Sequence, residues 1–392
     1  MSSDSFTHIA VIGATGIVGG SVLDICARFP ERFGVVAMAA HSNSNKLLSL
    51  SKRFGSKIAY LANPSSEDSK MFGENGIELL SGDEGLENIA GLGEADHVVL
   101  ASSGAKAIFA LKRALESNKD VSLANKESVV AAGPWLMPLV KRPDQLRPLD
   151  SEHNAIWQCM RGEPRANIRR VTLTASGGPF REFSAERMKN ITPREALRHP
   201  IWNMSPKITV DSSNLMNKGI ECIEATQLFG LSMEQVKTVI HPSSQVHGMV
   251  EFSDATVKLL LHKPDMRISS AVALAWPDRL PLANIEEFAA PECGDWSMEF
   301  SAPDETRFPC LSIAREAGRS GGPYPPLLIG ADEVVVSAFL EGRIPFLSIS
   351  NIIEAALEAY KGLHPSCLDD AVQLISEGER LAMELCSAFH GR

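Results

Sequence analysis

The sequence predicts an α/β protein with an N-terminal parallel-sheet domain, a central α+β domain and a C-terminal helical domain, and three observations lead there. Up to residue 149, short apolar runs (HIAVIG, FGVVAMAA, DHVVLASS, DVSLAN) alternate with helical periodicity such as KAIFALKRALES, the rhythm of βαβ units around a parallel sheet. Over 150–280, strand-like VTLTAS, ITVDSS, VKTVIHP and HGMVEFSD are mixed with fewer helices and a high density of polar motifs. A Pro- and acid-containing connector at 281–309 leads to helical patterns over 310–392: PLLIGADEVVVSAFLEG, NIIEAALEAYKGL behind Ser350 as a cap, and DDAVQLISEGERLAMELCSAF.

A chain of 392 residues with 44% hydrophobic content can bury a large core. Its formal net charge of -10 repels phosphate backbones, which argues against nucleic acid and requires local donors for any small anion. No apolar run approaches membrane-spanning length, and MSSDSFTHIAVIG passes from polar residues into a strand pattern without the form of a signal peptide. The seven cysteines (Cys26, Cys159, Cys222, Cys293, Cys310, Cys367, Cys386) form no CxxC pair. Reduced thiols in a cytoplasmic protein with no membrane partner are expected.

The first strand ends in GATGIVGG, placing Gly13, Gly16 and Gly19 where a Rossmann-like chain turns tightly, approaches a pyrophosphate and opens a helix packed on the sheet. The second strand ends in HSNSNK, without the carboxylate that grips the ribose hydroxyls of NAD. Ser42, Asn43, Ser44 and Lys46 offer donors that suit the adenosine 2′-phosphate of NADP; a solvated polar loop is the alternative. ANKES then sets Asn125, Lys126 and Glu127 after a strand, at the sheet edge where open α/β folds bind ligands.

In LDSEHNA, Asp150 and Glu152 stand two apart, so on an extended segment both carboxylates project to one face and can share a cation. A third acid, Glu221, lies in DSSNLMNKGIECIEA, which is expected to begin as a loop and continue as a helix. Three oxygen donors without histidine or cysteine spacing favour Mg2+ or Mn2+ over zinc. Between these acids, ASGGPF (Ser176) and VDSSNLMNK (Ser212, Asn217, Lys218) offer hydroxyl, amide, backbone and ammonium donors to a phosphate. Taken singly, a turn serine and a solvated lysine explain them as well. RHPIWNMSPK places His199 and Trp202 in a proline-broken loop, a candidate lid over 196–207; a loop pinned to the core by Trp202 is the alternative.

Together GATGIVGG, ANKES, DSEHNAIWQ, SGGPFRE, RHPIWNM, KITVDS, MNKGIECIEA, HPSSQVHGMV and PDMR resemble the deoxyxylulose phosphate reductoisomerase family in content, order and spacing. The resemblance implies conversion of 1-deoxy-D-xylulose 5-phosphate to 2-C-methyl-D-erythritol 4-phosphate, with NADPH and Mn2+ or Mg2+ (Co2+ also admitted), by a homodimer. It divides the chain into an NADPH-binding domain over 1–149, a catalytic domain over 150–280, the connector and the helical domain. It assigns Asp150, Glu152 and Glu221 to the metal, and Lys126 and Ser151 to the substrate hydroxyls. Ser176, Ser212, Asn217 and Lys218 hold the phosphate end, with His199 and Trp202 closing over the site. Gly13, Thr15, Gly16, Ile17, Val18, Ser42, Asn43, Asn125, Glu127 and Ser205 fall to the cofactor.

The chain departs from the family pattern in three places. Ser205 and Pro206 follow Met204, where glycine is common; His41 and Ser42 stand where many members place glycine and lysine. IGADEVVV replaces the usual Asn-Ala-Ala-Asn-Glu, a change expected to affect packing more than chemistry. Two rival readings remain: a semialdehyde-type dehydrogenase, which needs an activated cysteine, and a non-catalytic NADP sensor, for which three acids are superfluous.

Overall fold

The computed structural model describes residues 6–202, 204–289, 298–362 and 364–389, which form two compact units. The first comprises residues 6–128, 136–154 and 265–289. Its strands β1 (Thr7–Ile12), β2 (Phe33–Ala40), β3 (Ile58–Leu61), β4 (Glu78–Leu80), β5 (His97–Leu100), β6 (Asp120–Leu123) and β7 (Leu146–Pro148) are all parallel, in the order β4-β3-β2-β1-β5-β6-β7. Helices such as Ile17–Arg28, Ser44–Phe54 and Lys106–Glu116 make the crossovers. Strand runs of Ile, Val, Met and Ala are buried along their length, as a parallel sheet covered on both faces requires. The order reverses direction at β1, which lies between β2 and β5, and this reversal opens a crevice at the carboxyl ends of the strands.

The contact pattern draws a different boundary from the sequence reading, which ran the substrate domain to residue 280. The helix Met266–Ala275 belongs to the first unit, where Ala271, Ala273, Leu274 and Ala275 join Ile9, Val22, Ile25 and Met38 in one apolar cluster. Arg147 donates to the Ala273 carbonyl at 2.9 Å, and the Trp276 indole donates to Asp144 at 3.0 Å. This helix comes from a distant part of the chain and is buried on several sides, so neither periodicity nor position marks it as a partner of the first sheet. Of the expected connector, residues 290–297 lie outside the described residues; 282–288 form short 3-10 turns.

The second unit comprises residues 129–135, 155–202, 204–264, 298–362 and 364–389. It holds a mixed sheet in the order β11-β10-β8-β9, with β8 (Ile168–Ala175) parallel to β9 (Val236–Ile240) and antiparallel to β10 (Val246–Phe252), and β10 antiparallel to β11 (Val257–Leu261). The expected strand ITVDSS is instead part of a helix, Pro206–Ser213. Ser205 caps that helix by accepting from the Ile208 amide, and Pro206 occupies its first turn, where a missing N–H costs nothing. Burial of Thr209, Val210, Asp211 and Ser213 then outweighs the strand preference of the β-branched residues. Asp150 and Glu152 likewise are not on a strand: the Asp150 carbonyl accepts from Asn154, and Glu152 lies in the first turn of the helix Ser151–Met160. Ser350 is no cap, since the helix Ser348–Ala359 begins before it.

The long helices Tyr324–Leu340 and Leu368–Phe389 approach through two glycines. A Cβ at Gly330 would lie 1.9 Å from the Ile375 carbonyl oxygen, and one at Gly378 would lie 2.3 Å from that of Leu327. Gly330→Ala should therefore destabilise the protein by about 3 kcal/mol, because backbone must shift to admit the methyl. Gly73→Ala, in a helix where a Cβ meets nothing within 4 Å, should be neutral or stabilising. Urea denaturation midpoints of the two variants check this, and equal midpoints would contradict it.

Candidate active site

In the first unit, every residue expected to touch cofactor or metal lies at or just beyond the carboxyl end of a sheet strand. After β1 the chain turns at Gly13, whose φ is +91°; a Cβ there would lie 2.5 Å from the Ala101 carbonyl group. A Cβ at Gly19 would lie 2.2 Å from the Gly13 oxygen, so the helix Ile17–Arg28 sits directly against the turn. Gly16 occupies the N-cap position without a side-chain cap, and Ile17 is 45% exposed. The first-turn amides and an apolar side chain are thus presented together. Beyond β2, Asn43 caps the next helix by accepting from the Lys46 amide, while the Lys46 ammonium donates 2.8 Å to the Thr15 carbonyl. Ser42 and Asn43 are exposed beside it.

The loop after β5 is tied to the loop after β6. Asn125 donates to the carbonyls of Ser102 and Gly104 and to Glu127, accepts from the Ser128 amide, and is buried. Glu127 in turn accepts from the Gly104 amide at 2.9 Å. Lys126 donates to Asp150, and the Ser151 hydroxyl donates to Glu152. His153 is fully buried behind Asp150, its Nδ1 3.8 Å from the carboxylate. Sequence reasoning passed over that histidine, although DSEHNA puts it one turn along from the aspartate.

In the second unit, β8 ends in the turn Ser176-Gly177-Gly178, with φ of +82° and +68° at the glycines. A Cβ on Gly178 would lie 2.9 Å from the Ser212 carbonyl oxygen, so only glycine lets Ser176 and the end of the helix Pro206–Ser213 come together. His199 Nδ1 lies 2.8 Å from the Trp202 amide and 3.2 Å from that of Ile201, and accepts from both. Its Nε2 lies 3.1 Å from the Ser176 hydroxyl oxygen. The helix Met216–Phe229 carries Asn217, Lys218 and Glu221, and the last accepts from both of the others. Glu221 is 1% exposed and Lys218 4%. Trp202 stands edge-on to His247 at 6.0 Å, and His247 stacks on His262 at 3.8 Å. These two histidines were not singled out in the sequence, where they sit one on each of two neighbouring strand patterns. Ser205 uses its hydroxyl in the helix cap, and Asn203 of the expected lid lies outside the described residues.

Comparison with known proteins identifies the family. Residues 9–133 match the family profile 1-deoxy-D-xylulose 5-phosphate reductoisomerase, 146–229 its C-terminal domain, and 261–380 the DXP reductoisomerase C-terminal domain. The 1-deoxy-D-xylulose 5-phosphate reductoisomerase of Chloroherpeton thalassium is 40% identical over 391 residues, 98% of this chain and 99% of that one. That of Moorella thermoacetica is 42% identical, covering 90% and 91%. The Zymomonas mobilis enzyme solved with NADPH superposes with a TM-score of 0.86 at 37% identity, covering 97% and 99%. A DOX-P reductoisomerase solved with NADPH, fosmidomycin and magnesium gives 0.89 at 33% identity, covering 97% and 98%. The chain belongs to the 1-deoxy-D-xylulose 5-phosphate reductoisomerase family. It is an oxidoreductase.

Most of the described thiols are held protonated by burial. Burial raises Cys26 to about 12 and Cys159 to about 11, and pushes Cys222, Cys310 and Cys386 upward as well. Cys367 is exposed, and Cys293 lies outside the described residues. A protonated, buried thiol is a poor nucleophile, which removes the support for a semialdehyde-type dehydrogenase.

The two amides facing Nδ1 of His199 fix its tautomer, leaving Nε2–H to donate to Ser176. Ser176 Oγ also accepts from the Gly178 amide, so its own O–H is left to point toward a ligand oxygen. Burial lowers the His199 pKa to about 4. An imidazole that takes its proton near 6.5 when unfolded and near 4 when folded gives stability that is full above 6.5 and lost as pH falls through 4. The imidazole 15N shifts of His199 should therefore report a neutral Nε2–H ring from pH ~8 down to ~5. A titration near 6.5 would show that the amides do not hold it.

Proposed function

We propose that this enzyme converts 1-deoxy-D-xylulose 5-phosphate to 2-C-methyl-D-erythritol 4-phosphate, the reductive isomerisation of non-mevalonate isoprenoid synthesis, using NADPH and Mg2+ or Mn2+. The observation that carries the reading is the buried Glu221 with Lys218 and Asn217, one helical turn from the donors suited to phosphate. A desolvated charge pair is a weak way to stabilise a fold, and it is explained when the same groups serve a charged ligand.

The residues present fit both bound groups. A Cβ at Gly13 or Gly19 would collide with backbone, so glycine closes the turn on which a pyrophosphate would lie, and Thr15, Gly16, Ile17 and Val18 belong to that turn and the helix start. Ser42, Asn43 and Lys46 would take the 2′-phosphate; Asn125 and Glu127 order the neighbouring loop. Asp150, Glu152 and Glu221 are three hard oxygen ligands, now satisfied by lysine, serine and asparagine donors that a cation would displace. When bound, NADPH supplies hydride and the cation offsets negative charge on the ketone and hydroxyl oxygens.

The chain's own side chains do the remaining work. Lys126 and Ser151 donate to the substrate hydroxyls, while Ser176, Ser212, Asn217 and Lys218 anchor the phosphate and fix the distance to the reacting carbons. Carbon–carbon cleavage by retroaldol and reclosure by aldol then yield an aldehyde, which is reduced before it escapes. Trp202, moving with the His199 loop, excludes water during that interval. The protein is proposed to act as a cytoplasmic homodimer, as the family resemblance implies; among the described residues no helix is long and apolar enough to cross a membrane.

NADPH oxidation on adding 1-deoxy-D-xylulose 5-phosphate, abolished by a chelator and restored by Mg2+ or Mn2+, is the expected result. Turnover that ignores the chelator, or no turnover, would sink the proposal. Glu221→Gln should lower kcat by roughly 100-fold or more while leaving NADPH affinity within about twofold. A matching loss of NADPH affinity would remove Glu221 from the metal site.

A further inference from the structure

Lys207 and Asp211 stand four apart on the helix Pro206–Ser213, and the Lys207 ammonium donates to Asp211 at 2.7 Å. The same ammonium donates to Asp332, which comes from the helix Tyr324–Leu340. Asp211 is 2% exposed and Asp332 0%. The other carboxylate oxygens, Oδ1 of each aspartate, are buried and meet no hydrogen-bond partner among the described residues. One ammonium thus serves two buried carboxylates. Unless the cluster keeps a proton, it carries an uncompensated negative charge in a dry place.

Among the described residues, neither aspartate is in an ion pair with a second cation. Glu333, beside Asp332, adds negative charge, and the Cys310 thiol across from both aspartates is pushed well upward by burial and by their charge. On the helix Met216–Phe229, Lys218 is occupied with Glu221; on Cys310–Ser320, Arg315 donates to the carbonyls of Met233 and Val236, and Arg319 pairs with Glu316 and Glu234. On Leu368–Phe389, Arg380 pairs with Glu377 and Glu384; Glu354 and Glu358 of Ser348–Ala359 are exposed. Next to the short helix Pro193–Ala196, Arg187 pairs with Glu195. Burial first, and then Asp332, raise Asp211 to about 8 against the pull of Lys207, which the two carboxylates hold charged despite its own burial.

Asp211 immediately precedes Ser212, whose backbone lies against the Ser176 turn. We propose that Asp332 is a positioning residue for the anion site: through Lys207 and Asp211 it sets the helix that carries Ser212, and its charge keeps on Asp211 the proton that leaves the cluster neutral, so that a bound phosphate is weakened when this proton leaves. The inference rests on the reading of Ser176 and Ser212 as phosphate ligands given above.

The test is equilibrium binding of inorganic phosphate to the full chain by calorimetry from pH ~6.5 to ~9.5, expressed per dianion. Wild-type affinity should fall roughly three- to tenfold with a midpoint near 8, the effect of one added nearby charge. Asp332→Asn, of nearly the same shape, leaves a neutral Lys207–Asp211 pair and should flatten the profile. A decline in this variant equal to the wild type's overturns the proposal, as does a flat wild-type profile. Ser212→Ala and Ser176→Ala report on the underlying site: unchanged phosphate binding in both would refute the phosphate reading itself, independently of Asp332. Should Asp332→Asn not fold, 13C titration of the wild-type aspartate carboxyls decides, with one carboxyl titrating near 8 expected and none above about 6 fatal.

Discussion

Burying carboxylates where each must find a cation is the constraint on which the second unit turns, and a partly buried pair repeats it in the first unit. Glu221 is almost wholly enclosed and is tolerated because Lys218 and Asn217 reach it from the same helix. Asp211 and Asp332 divide one ammonium between them; Asp150 has Lys126. Each of these arrangements costs desolvation that an apolar packing would not. Their positions follow from backbone features placed to allow them: the helix start at Ser205-Pro206, the αL residue Leu215 between two helices, and the strand end before Asp150. Remove the charges and the helices would still form, but nothing would require them to meet at those points.

What could be read in advance follows from how locally the information is encoded. The glycine turn after β1 was visible because GATGIVGG combines backbone freedom, strand before and helix after within one short window. The parallel sheet was visible because its strands are buried on both faces and so appear as continuous apolar runs. ITVDSS misled because intrinsic preference favoured a strand, while the cap at Ser205 and the tertiary burial of one face decided for a helix. Asp150 and Glu152 are expected on an extended segment and lie instead at a helix start, since DxE has the same composition in either place. The placement of Met266–Ala275 against the first sheet depends on contacts across more than half the chain, which no window contains.

The departures from the family pattern acquire physical content in the fold. Ser205 and Pro206 together make a strong helix start, in which the Ser205 hydroxyl accepts from the Ile208 amide. IGADEVVV was expected to matter for packing, and Gly330 does so by allowing the closest approach of the Leu368–Phe389 helix. Asp332 in the same string does more, because its side chain reaches Lys207. Lys207 and Asp211, spaced four apart, were recoverable as a helical ion pair once a helix was granted; Asp332 was not, being 125 positions from Lys207.

A protein with a net charge of -10 that is to hold a phosphorylated substrate and a dinucleotide must do so against its own field. The donors proposed for the phosphate in the second unit are mostly neutral: two hydroxyls, an amide, and an imidazole that burial keeps unprotonated and whose Nε2–H is committed to Ser176. Lys218 is the one formal cation among them, and Glu221 already claims it. Specificity for an anion then comes from oriented dipoles in a dry site, where they act strongly, and much less from long-range attraction. On the proposed reading such a site is sensitive to any nearby buried charge that changes with pH, and the protonation of Asp211, one residue from Ser212 and coupled to Asp332, then acts on a ligand that neither carboxylate touches.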